Sequence, residues 1–395
     1  MTQVSSSGGG FPGPHADPRA AALAVPGRGA AMPDTYASRR SAGLGLYMFG
    51  VLSGLALLFL LFLITPLASP DAQAIYLAMV VGALFAFPAG AVYLTVPRLL
   101  DRYDPEPWYA LVGCLIWGGV AACGYSAVIN SLVGGVAEVL APGSGDAVSA
   151  VVSAPIVEEF FKGLGVFGVF YFLRNEFDGV LDGIIYATFV ALGFATIENV
   201  IYYAQAAMEG EEVLAGTFFL RGLCSPWVHP VFTAMTGIGF GIARERSGAI
   251  TFLAPLGGLA GAVFLHFVWN ATATFANPII VFLLLPLWAI FVLGFLIIIV
   301  VLVRRFGRTL RENLVDEVAL GTIDQRELEL VCSAFGLLRA RLRHGKRGEE
   351  FVRATARLGL SKWHTARAMK SRHQTVSMDF IVPLRRRIAE LKAGL

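Results

Sequence analysis

Eight apolar stretches dominate this chain, and their length constrains its fold more than any other feature. A helix needs about 20 consecutive apolar residues to cross a bilayer, where unpaired backbone groups are excluded. The composition agrees, because 56% of the 395 residues are hydrophobic and only 15% are charged, against roughly 25% charged in soluble domains. The pattern predicts an all-α, polytopic transmembrane helical bundle and excludes a soluble globular protein. The predicted spans are 44–66, 75–97, 108–134, 150–173, 180–204, 217–242, 250–276 and 279–303.

Arginine residues mark alternate ends of the predicted spans. They stand before span one, between spans two and three, and after spans four, six and eight. The positive-inside rule therefore places both termini in the cytoplasm of a multi-pass cell-membrane protein. The loops on the opposite side contain no Lys or Arg; they are 67–74, 135–149, 205–216 and 277–278.

Composition divides the chain into three parts. Residues 1–40 are rich in Gly, Ala, Pro and Ser, which predicts a disordered N-terminal segment. Residues 41–303 form the transmembrane domain. Residues 304–395 hold 20 of the 31 Lys and Arg against 10 Asp and Glu, and they predict a basic, cytosolic helical tail. Its net charge of +10 favours contact with an anionic lipid surface, and nucleic acid is not expected as a partner.

Polar side chains inside four consecutive spans are the candidates for a functional site. A charge near the bilayer centre costs about 2.5–3.5 kcal/mol even on insertion scales, so several of them indicate a function. In span four, two adjacent carboxylates lie one helical turn from a lysine. The candidates are Glu158, Glu159 and Lys162 in span four, Glu198 and Asn199 in span five, His229 in span six, and His266 and Asn270 in span seven.

The ionisable candidates share one depth in the membrane. Counted from the outer end of each span, they lie about six to twelve residues in, or roughly 9–18 Å at 1.5 Å per residue. Structural polar residues have no reason to share a layer, so the depths predict one pocket open toward the outer side.

Carboxylates and imidazoles in such a pocket suit two routes to amide hydrolysis. In the first, a carboxylate deprotonates water while His or Asn stabilises the oxyanion. In the second, a metal such as zinc activates the water. The spacing leaves both routes open, and with them the choice between Glu158 and Glu159 as the base. The candidate metal ligands are Glu159, Glu198, His229 and His266.

Other catalytic motifs of intramembrane proteases are missing or misplaced. The chain contains no HExxH, and no span contains GxSG. The segment 143–146 formally matches the GxGD of presenilin-like aspartyl proteases, with Asp104 as the second acid. The predicted topology places Asp104 and Asp146 on opposite sides of the membrane, so these two carboxylates do not form a site.

The order of the motifs in spans four to seven resembles the PrsW family of intramembrane proteases, which is related to the CAAX protease and bacteriocin-processing group. The resemblance covers about 45–300 and leaves out both terminal parts. It rests on EExxK from Glu158 to Lys162, GFAxxEN from Gly193 to Asn199, His229 in the next span, HxxWN from His266 to Asn270, and an acidic, proline-containing stretch from Asp101 to Trp108.

This resemblance implies that 41–303 is a protease domain that cuts a membrane-anchored protein, as founding members cut anti-sigma factors. It implies that Glu158 and Glu159 hold the water-activating carboxylate, and that Glu198, His229 and His266 complete the site. The family has been called metalloprotease, while its relatives support a glutamate mechanism without an obligatory metal. The resemblance therefore leaves the cofactor undecided.

Two other functions fit part of the pattern. Buried Glu, Lys and His also form proton relays in transporters and channels. Transporters commonly show inverted repeats with paired interrupted helices, whereas here the polar residues cluster in spans four to seven. A third hypothesis, an inactive membrane scaffold acting through the tail, does not explain the complete set of polar groups. The sequence therefore favours a peptidase and leaves its substrate open.

Overall fold

The structure, a computed structural model, describes residues 34–100, 105–333, 335–371 and 377–394. Every regular element in these ranges is helical, which confirms the predicted all-α bundle. Most of the predicted disordered segment 1–40 lies outside the described residues, and its last part already belongs to the first helix. The helices are α1 Asp34–Phe59, α2 Ala72–Tyr93, α3 Thr95–Leu100, α4 Trp108–Ile116, α5 Cys123–Leu140, α6 Gly145–Val148, α7 Ala154–Phe172, α8 Val180–Glu209, α9 Glu211–Thr217, α10 Val228–Glu245, α11 Ile250–Phe275, α12 Pro278–Ala319, α13 Gln325–Cys332, α14 Gly336–Ser371 and α15 Ser377–Lys392.

Short helical turns of other types extend several of these helices. A π-helical turn joins α4 to α5, a second leads into α7, and a third follows α9. The π turns are Leu60–Ile64, Trp117–Ala122, Ser149–Ser153 and Phe218–Cys224, and the 3-10 turns are Thr65–Ala68 and Arg174–Glu176.

Six helices among the described residues are long and apolar enough to cross a membrane. Two of the eight predicted spans, 150–173 and 217–242, are not among the six. The first forms α7, whose three charged side chains lower its hydropathy. The second is interrupted at 225–227, between a π turn and α10. The six are Ser41–Ala68, Ala72–Arg98, Trp108–Leu140, Val180–Glu209, Ile250–Phe275 and Pro286–Ala319.

Helix α8 is the central helix of the bundle. Its residues are buried on all sides from 183 to 195, and it packs against α2, α4, α7 and α10. A Cβ atom on Gly183 would lie 2.2 Å from the carbonyl oxygen of Gly237, and one on Gly237 would lie 2.1 Å from that of Gly183. The backbones of α8 and α10 therefore touch, as small residues allow where close packing holds membrane helices together.

The tail is helical, and its later helices pack against its first part, which is the end of α12. This helix continues unbroken past the predicted boundary at 303, and its 42 residues make it about 63 Å long at 1.5 Å per residue. That is roughly twice the hydrocarbon thickness of a bilayer, so its charged last third, from Arg304, lies beyond the apolar part. Buried Leu310 and Leu314 of this part pack with Phe351 and Ile388 of the tail.

One end of the bundle meets the tail at a cavity of about 300 Å³, and we call this the tail end. The lining includes Val180 at the start of α8, Glu245 at the end of α10, and Trp363 of α14. Glu198 lies 18 residues beyond Val180, or about 27 Å along the helix. His229 is at the opposite end of α10 from Glu245. The candidate residues therefore lie toward the end of the bundle far from the tail.

Candidate active site

Glu158, Glu159 and Lys162 form a buried ion cluster on one face of α7. The Nζ atom of Lys162 lies 2.8 Å from Oε1 of Glu159 and 3.3 Å from Oε2 of Glu158. Helical spacing of three and four residues brings the three side chains together. Glu159 and Lys162 have no exposed surface, and Glu158 is 5% exposed. Because buried charges are costly without partners, the pairing explains how α7 holds them.

Two histidines reach this cluster from neighbouring helices. His229, at the start of α10, places Nδ1 3.0 Å from Nζ of Lys162. His266, in α11, places Nδ1 3.1 Å from Oε1 of Glu159. The two ring centroids are 5.2 Å apart. Three helices therefore converge on one small polar volume inside the bundle.

Glu198 joins the cluster through His229. Its Oε2 atom lies 2.9 Å from Nε2 of His229, on the side of the ring away from Lys162. Residues from α7, α8, α10 and α11 thus form one continuous hydrogen-bonded cluster. This cluster contains all six ionisable candidates and lies in the helix segments predicted to share one depth.

The two candidate amides point elsewhere. Asn199 accepts a hydrogen bond from Nε of Arg221 through Oδ1, at 2.7 Å. Asn270 donates from Nδ2 to the carbonyl oxygen of Ala150, at 2.8 Å. The structure gives both side chains a role in joining elements around the cluster, and it does not bring either amide into contact with the catalytic candidates.

Three further residues contact the cluster and were not among the predicted candidates. Thr233, one turn after His229, donates from Oγ1 to Oε2 of Glu159 at 2.9 Å. Nδ2 of Asn130 lies 3.4 Å from Oε1 of Glu158, and Arg221 forms an ion pair with Glu198. Asn130 and Arg221 stand inside predicted apolar spans, so a search for every polar residue within those spans would have found them.

The adjacent glutamates differ in how fully their oxygens are occupied. Glu159 accepts from Lys162, His266 and Thr233, all within 3.1 Å. Glu158 has longer contacts: 3.3 Å to Lys162, 3.4 Å to Asn130 and 3.9 Å to Nε2 of His266. A carboxylate offers about four lone-pair sites, and those of Glu158 are the less occupied. Glu158 is therefore the carboxylate with capacity for another ligand, while Glu159 orients its neighbours.

The residues around Glu158 also fit a divalent metal ion. Glu158, His229 and His266 each offer one ligand atom, and the three atoms lie within 4.8 Å of one another. One carboxylate and two imidazoles form a donor set found in catalytic zinc sites. The ligands predicted from the sequence were Glu159, Glu198, His229 and His266, so the two sets differ in their carboxylates. The structure places Glu198 at Nε2 of His229 and Glu159 at Nδ1 of His266.

The hydrogen bonds of the two imidazole rings support Glu158, His229 and His266 as the ligand set. Glu198 lies at Nε2 of His229 and Glu159 at Nδ1 of His266, so each carboxylate accepts the N–H of its ring. The opposite nitrogen of each ring is then left with its lone pair. Carboxylates in this position commonly orient metal-binding histidines. In the structure, the ammonium of Lys162 lies 3.3 Å from Oε2 of Glu158 and 3.0 Å from Nδ1 of His229.

The helical membrane bundle and its buried carboxylate–histidine cluster define the class of this protein, a polytopic membrane protein with a polar site inside the bundle. The model of the PrsW family of intramembrane metalloproteases matches residues 106–303, half of the chain, including every ionisable candidate. The protein belongs to the PrsW family.

Three curated proteins, each named Protease PrsW, are similar in sequence. The protein of Geobacillus kaustophilus is 31% identical over 155 residues, which are 39% of this chain and 63% of the relative. That of Oceanobacillus iheyensis is 30% identical over 129 residues, 31% and 53% of the two chains. That of Bacillus subtilis is 27% identical over 155 residues, 39% and 65%. The chain thus spans less than two thirds of each relative, and no solved structure matches it significantly.

Proposed function

We propose that this protein is an intramembrane protease that hydrolyses a peptide bond of a membrane-anchored protein with an activated water molecule. The observation that carries the proposal is the convergence of Glu158, His229 and His266 inside the helical bundle. Membership in the PrsW family and the name of the three relatives support the same function.

Glu158 is the proposed water-activating carboxylate. Its contacts are longer than those of Glu159, so an oxygen is available to accept a proton from water. General base catalysis by a positioned side chain contributes about 10²- to 10⁴-fold in rate. The proton that Glu158 takes from the water can then pass to the leaving amine, which completes the hydrolysis.

Lys162 provides the positive charge of the site. The attacked carbonyl oxygen becomes negatively charged in the tetrahedral intermediate, and fixed donors in a dry site stabilise that charge strongly. Lys162 is held by the carboxylates of Glu158 and Glu159, so its ammonium is already in place. These side chains need little rearrangement during the reaction.

In the alternative, metal-dependent route, the donor set of Glu158, His229 and His266 would hold a divalent metal such as zinc, and Glu158 would be a ligand instead of the base. When bound there, the metal supplies Lewis acidity and makes its water a better nucleophile at neutral pH. Glu198 and Glu159 would then orient the two histidines, as they do in the structure. Lys162 would have to move away from Glu158 and His229, because its ammonium lies among their ligand atoms.

The location of the site completes the proposal. The arginine pattern favours a topology with both termini in the cytoplasm, and in that topology the cluster lies in the outer half of the membrane. The substrate is then a protein anchored in the same bilayer. The basic tail would rest against the anionic lipid surface of the cytoplasmic leaflet.

Comparative membrane proteomics tests the function and identifies the substrate. A strain with wild-type protein is compared with a Glu158→Gln strain and with Glu212→Gln, a control that changes an exposed carboxylate. We expect a single-span membrane protein to accumulate only in the Glu158→Gln strain. Proteoliposomes with the wild-type protein then receive this substrate, and proteolysis and proton flux are measured side by side. Proton flux without proteolysis would support the transporter hypothesis and contradict a protease.

A further inference from the structure

Arg221 is a charged residue inside the predicted span 217–242, in the π turn Phe218–Cys224 before α10. Its guanidinium group lies along one side of α8. It forms an ion pair with Glu198, donates from Nε to Oδ1 of Asn199 at 2.7 Å, and lies 3.7 Å from the ring centroid of Tyr202. Placing an arginine inside a membrane span costs free energy, so its three contacts indicate that Arg221 has a role in function.

The contact with Glu198 connects Arg221 to the candidate active site. A single oxygen, Oε2 of Glu198, accepts from Nη2 of Arg221 and lies 2.9 Å from Nε2 of His229. Two donors on one oxygen fix the rotation of the carboxylate. The fixed carboxylate in turn favours the tautomer of His229 with its proton on Nε2, because the partner of one ring nitrogen decides which nitrogen is protonated. The unprotonated Nδ1 then faces Lys162 and the space near Glu158.

The charges of the cluster show why Glu198 needs this partner. The cluster holds three carboxylates, those of Glu158, Glu159 and Glu198, and one ammonium, that of Lys162. That ammonium lies within 3.3 Å of Glu158 and Glu159. Among the described residues, the cation paired with Glu198 is Arg221. Without it, the imidazole of His229 would be the remaining close partner of the Glu198 carboxylate.

We propose that Arg221 is a positioning residue of this site: it locks Glu198, and through Glu198 it keeps Nδ1 of His229 directed toward Glu158. The proposal rests on the proposed protease function. Arg221 acts through two other side chains, so its loss lowers the rate of the chemical step and the affinity for a metal. It does not remove a contact to the substrate, and KM stays near the wild-type value.

Lysine is not an adequate replacement at this position. The planar guanidinium donates to Glu198 and Asn199 through different nitrogen atoms and stacks on Tyr202. A lysine ammonium is a point charge on a flexible stem and cannot reproduce this geometry. The variant Arg221→Lys therefore keeps the charge and loses the fixed direction, which separates a positioning role from simple charge compensation.

The experiment uses the full chain in proteoliposomes and compares wild type with Arg221→Gln, Arg221→Lys and the control Arg246→Gln, at an exposed arginine after α10. It measures kcat and KM on the substrate found by proteomics, and the dissociation constant for Zn²⁺ by competition with a chelator. For Arg221→Gln we expect kcat and zinc affinity to fall about 10- to 100-fold, as for other residues that orient metal ligands. Arg221→Lys should be intermediate, and Arg246→Gln should match wild type.

A spectroscopic readout makes the test independent of catalysis. Nitrogen-15 chemical shifts of labelled histidine should show the Nε2-protonated tautomer of His229 in wild type and a mixture of tautomers in Arg221→Lys. Wild-type kcat and an unchanged histidine spectrum in both Arg221 variants would overturn the proposal. A wild-type protein that cleaves nothing would instead remove the protease function, and the histidine spectrum would still decide whether Arg221 positions His229. If Arg221→Gln fails to insert, Arg221→Lys carries the same comparison.

Discussion

Lys162 Nζ lies 2.8 Å from Glu159 Oε1, and neither side chain has any exposed surface. Glu158, the preceding residue, lies further from the same ammonium at 3.3 Å and has fewer close donors. The tightly bound glutamate is suited to holding the cluster together. The loosely bound one is suited to taking part in the reaction.

This difference predicts separate consequences for the two glutamate variants. Glu159→Gln removes the carboxylate most closely bound to a buried ammonium, and breaking a buried ion pair typically costs about 3–5 kcal/mol. We expect it to lower the unfolding temperature and the amount of inserted protein. Glu158→Gln should slow cleavage about 10²- to 10⁴-fold with a smaller loss of stability. Thermal unfolding in detergent checks both, and equal destabilisation by the two variants would contradict the assigned roles.

The contact between α8 and α10 predicts that Gly237 does not tolerate a side chain. In Gly237→Ala, the new Cβ atom would meet the carbonyl oxygen of Gly183, so α10 must move away from α8 and carry His229 with it. We expect lower thermal stability together with reduced cleavage. The control is Gly257→Ala in α11, where nothing lies within 4 Å of an added Cβ atom. Gly237→Ala behaving like this control would show that the close contact is not required.

The tail should lose stability in acid because of Glu317. This buried carboxylate accepts hydrogen bonds from Arg385, Lys362 and Thr322. Burial by itself raises the pKa of Glu317, but these donors outweigh it and lower the pKa from 4.5 to about 2. A lowered pKa stabilises the folded state above the ordinary value of 4.5. That stabilisation disappears as the pH falls from there toward 2.

Hydrogen exchange of α14, corrected for the intrinsic rate, measures this effect. The protection gives the free energy of opening of α14. In the wild-type protein this free energy should fall between pH 5 and pH 3 by about the amount that one carboxylate with a lowered pKa contributes. Glu317→Gln should be less stable at neutral pH and should lose this part of the pH dependence. Identical pH profiles for the two proteins would show that Glu317 is not the titrating group.

The basic tail should bind anionic membranes in a salt-dependent manner. The fragment 304–395 includes Leu310 and Leu314, which contribute to the core of the tail. We expect it to bind vesicles containing phosphatidylserine more strongly than neutral vesicles. Binding should weaken from 0.1 M to 1 M salt, because the Debye length shortens from about 10 Å to about 3 Å. Equal binding to both vesicle types, or none, would reject a role in lipid contact.

The sequence was sufficient to predict the helical bundle and the grouping of the ionisable residues. Hydropathy located α8 and α11, since long apolar runs leave few alternatives in a membrane. Hydropathy did not show that α12 continues past 303. The charged part of this helix is stabilised by packing of residues such as Leu310 against the later helices, and hydropathy does not report that packing. Nor did it show the interruption at 225–227.

The sequence did not predict which way individual side chains of the site point. Asn199 and Asn270 occupy motif positions, yet their contacts are with Arg221 and Ala150. Adjacent glutamates share every sequence signal, and only the partners contributed by α5, α10 and α11 distinguish them. Arg221 lies inside an apolar span and not in the loops whose charges predict the topology, although a charge within a span is itself a visible signal.

The rate of peptide-bond cleavage by Glu158→Gln shows whether Glu158 activates the attacking water. The identified substrate is reconstituted with wild type, with Glu158→Gln or with the exposed control Glu212→Gln, and product formation is followed over time. The loss of a positioned base predicts a rate about 10²- to 10⁴-fold lower for Glu158→Gln, with the control at the wild-type rate. Cleavage by a folded, inserted Glu158→Gln protein at the wild-type rate would show that Glu158 is not the base.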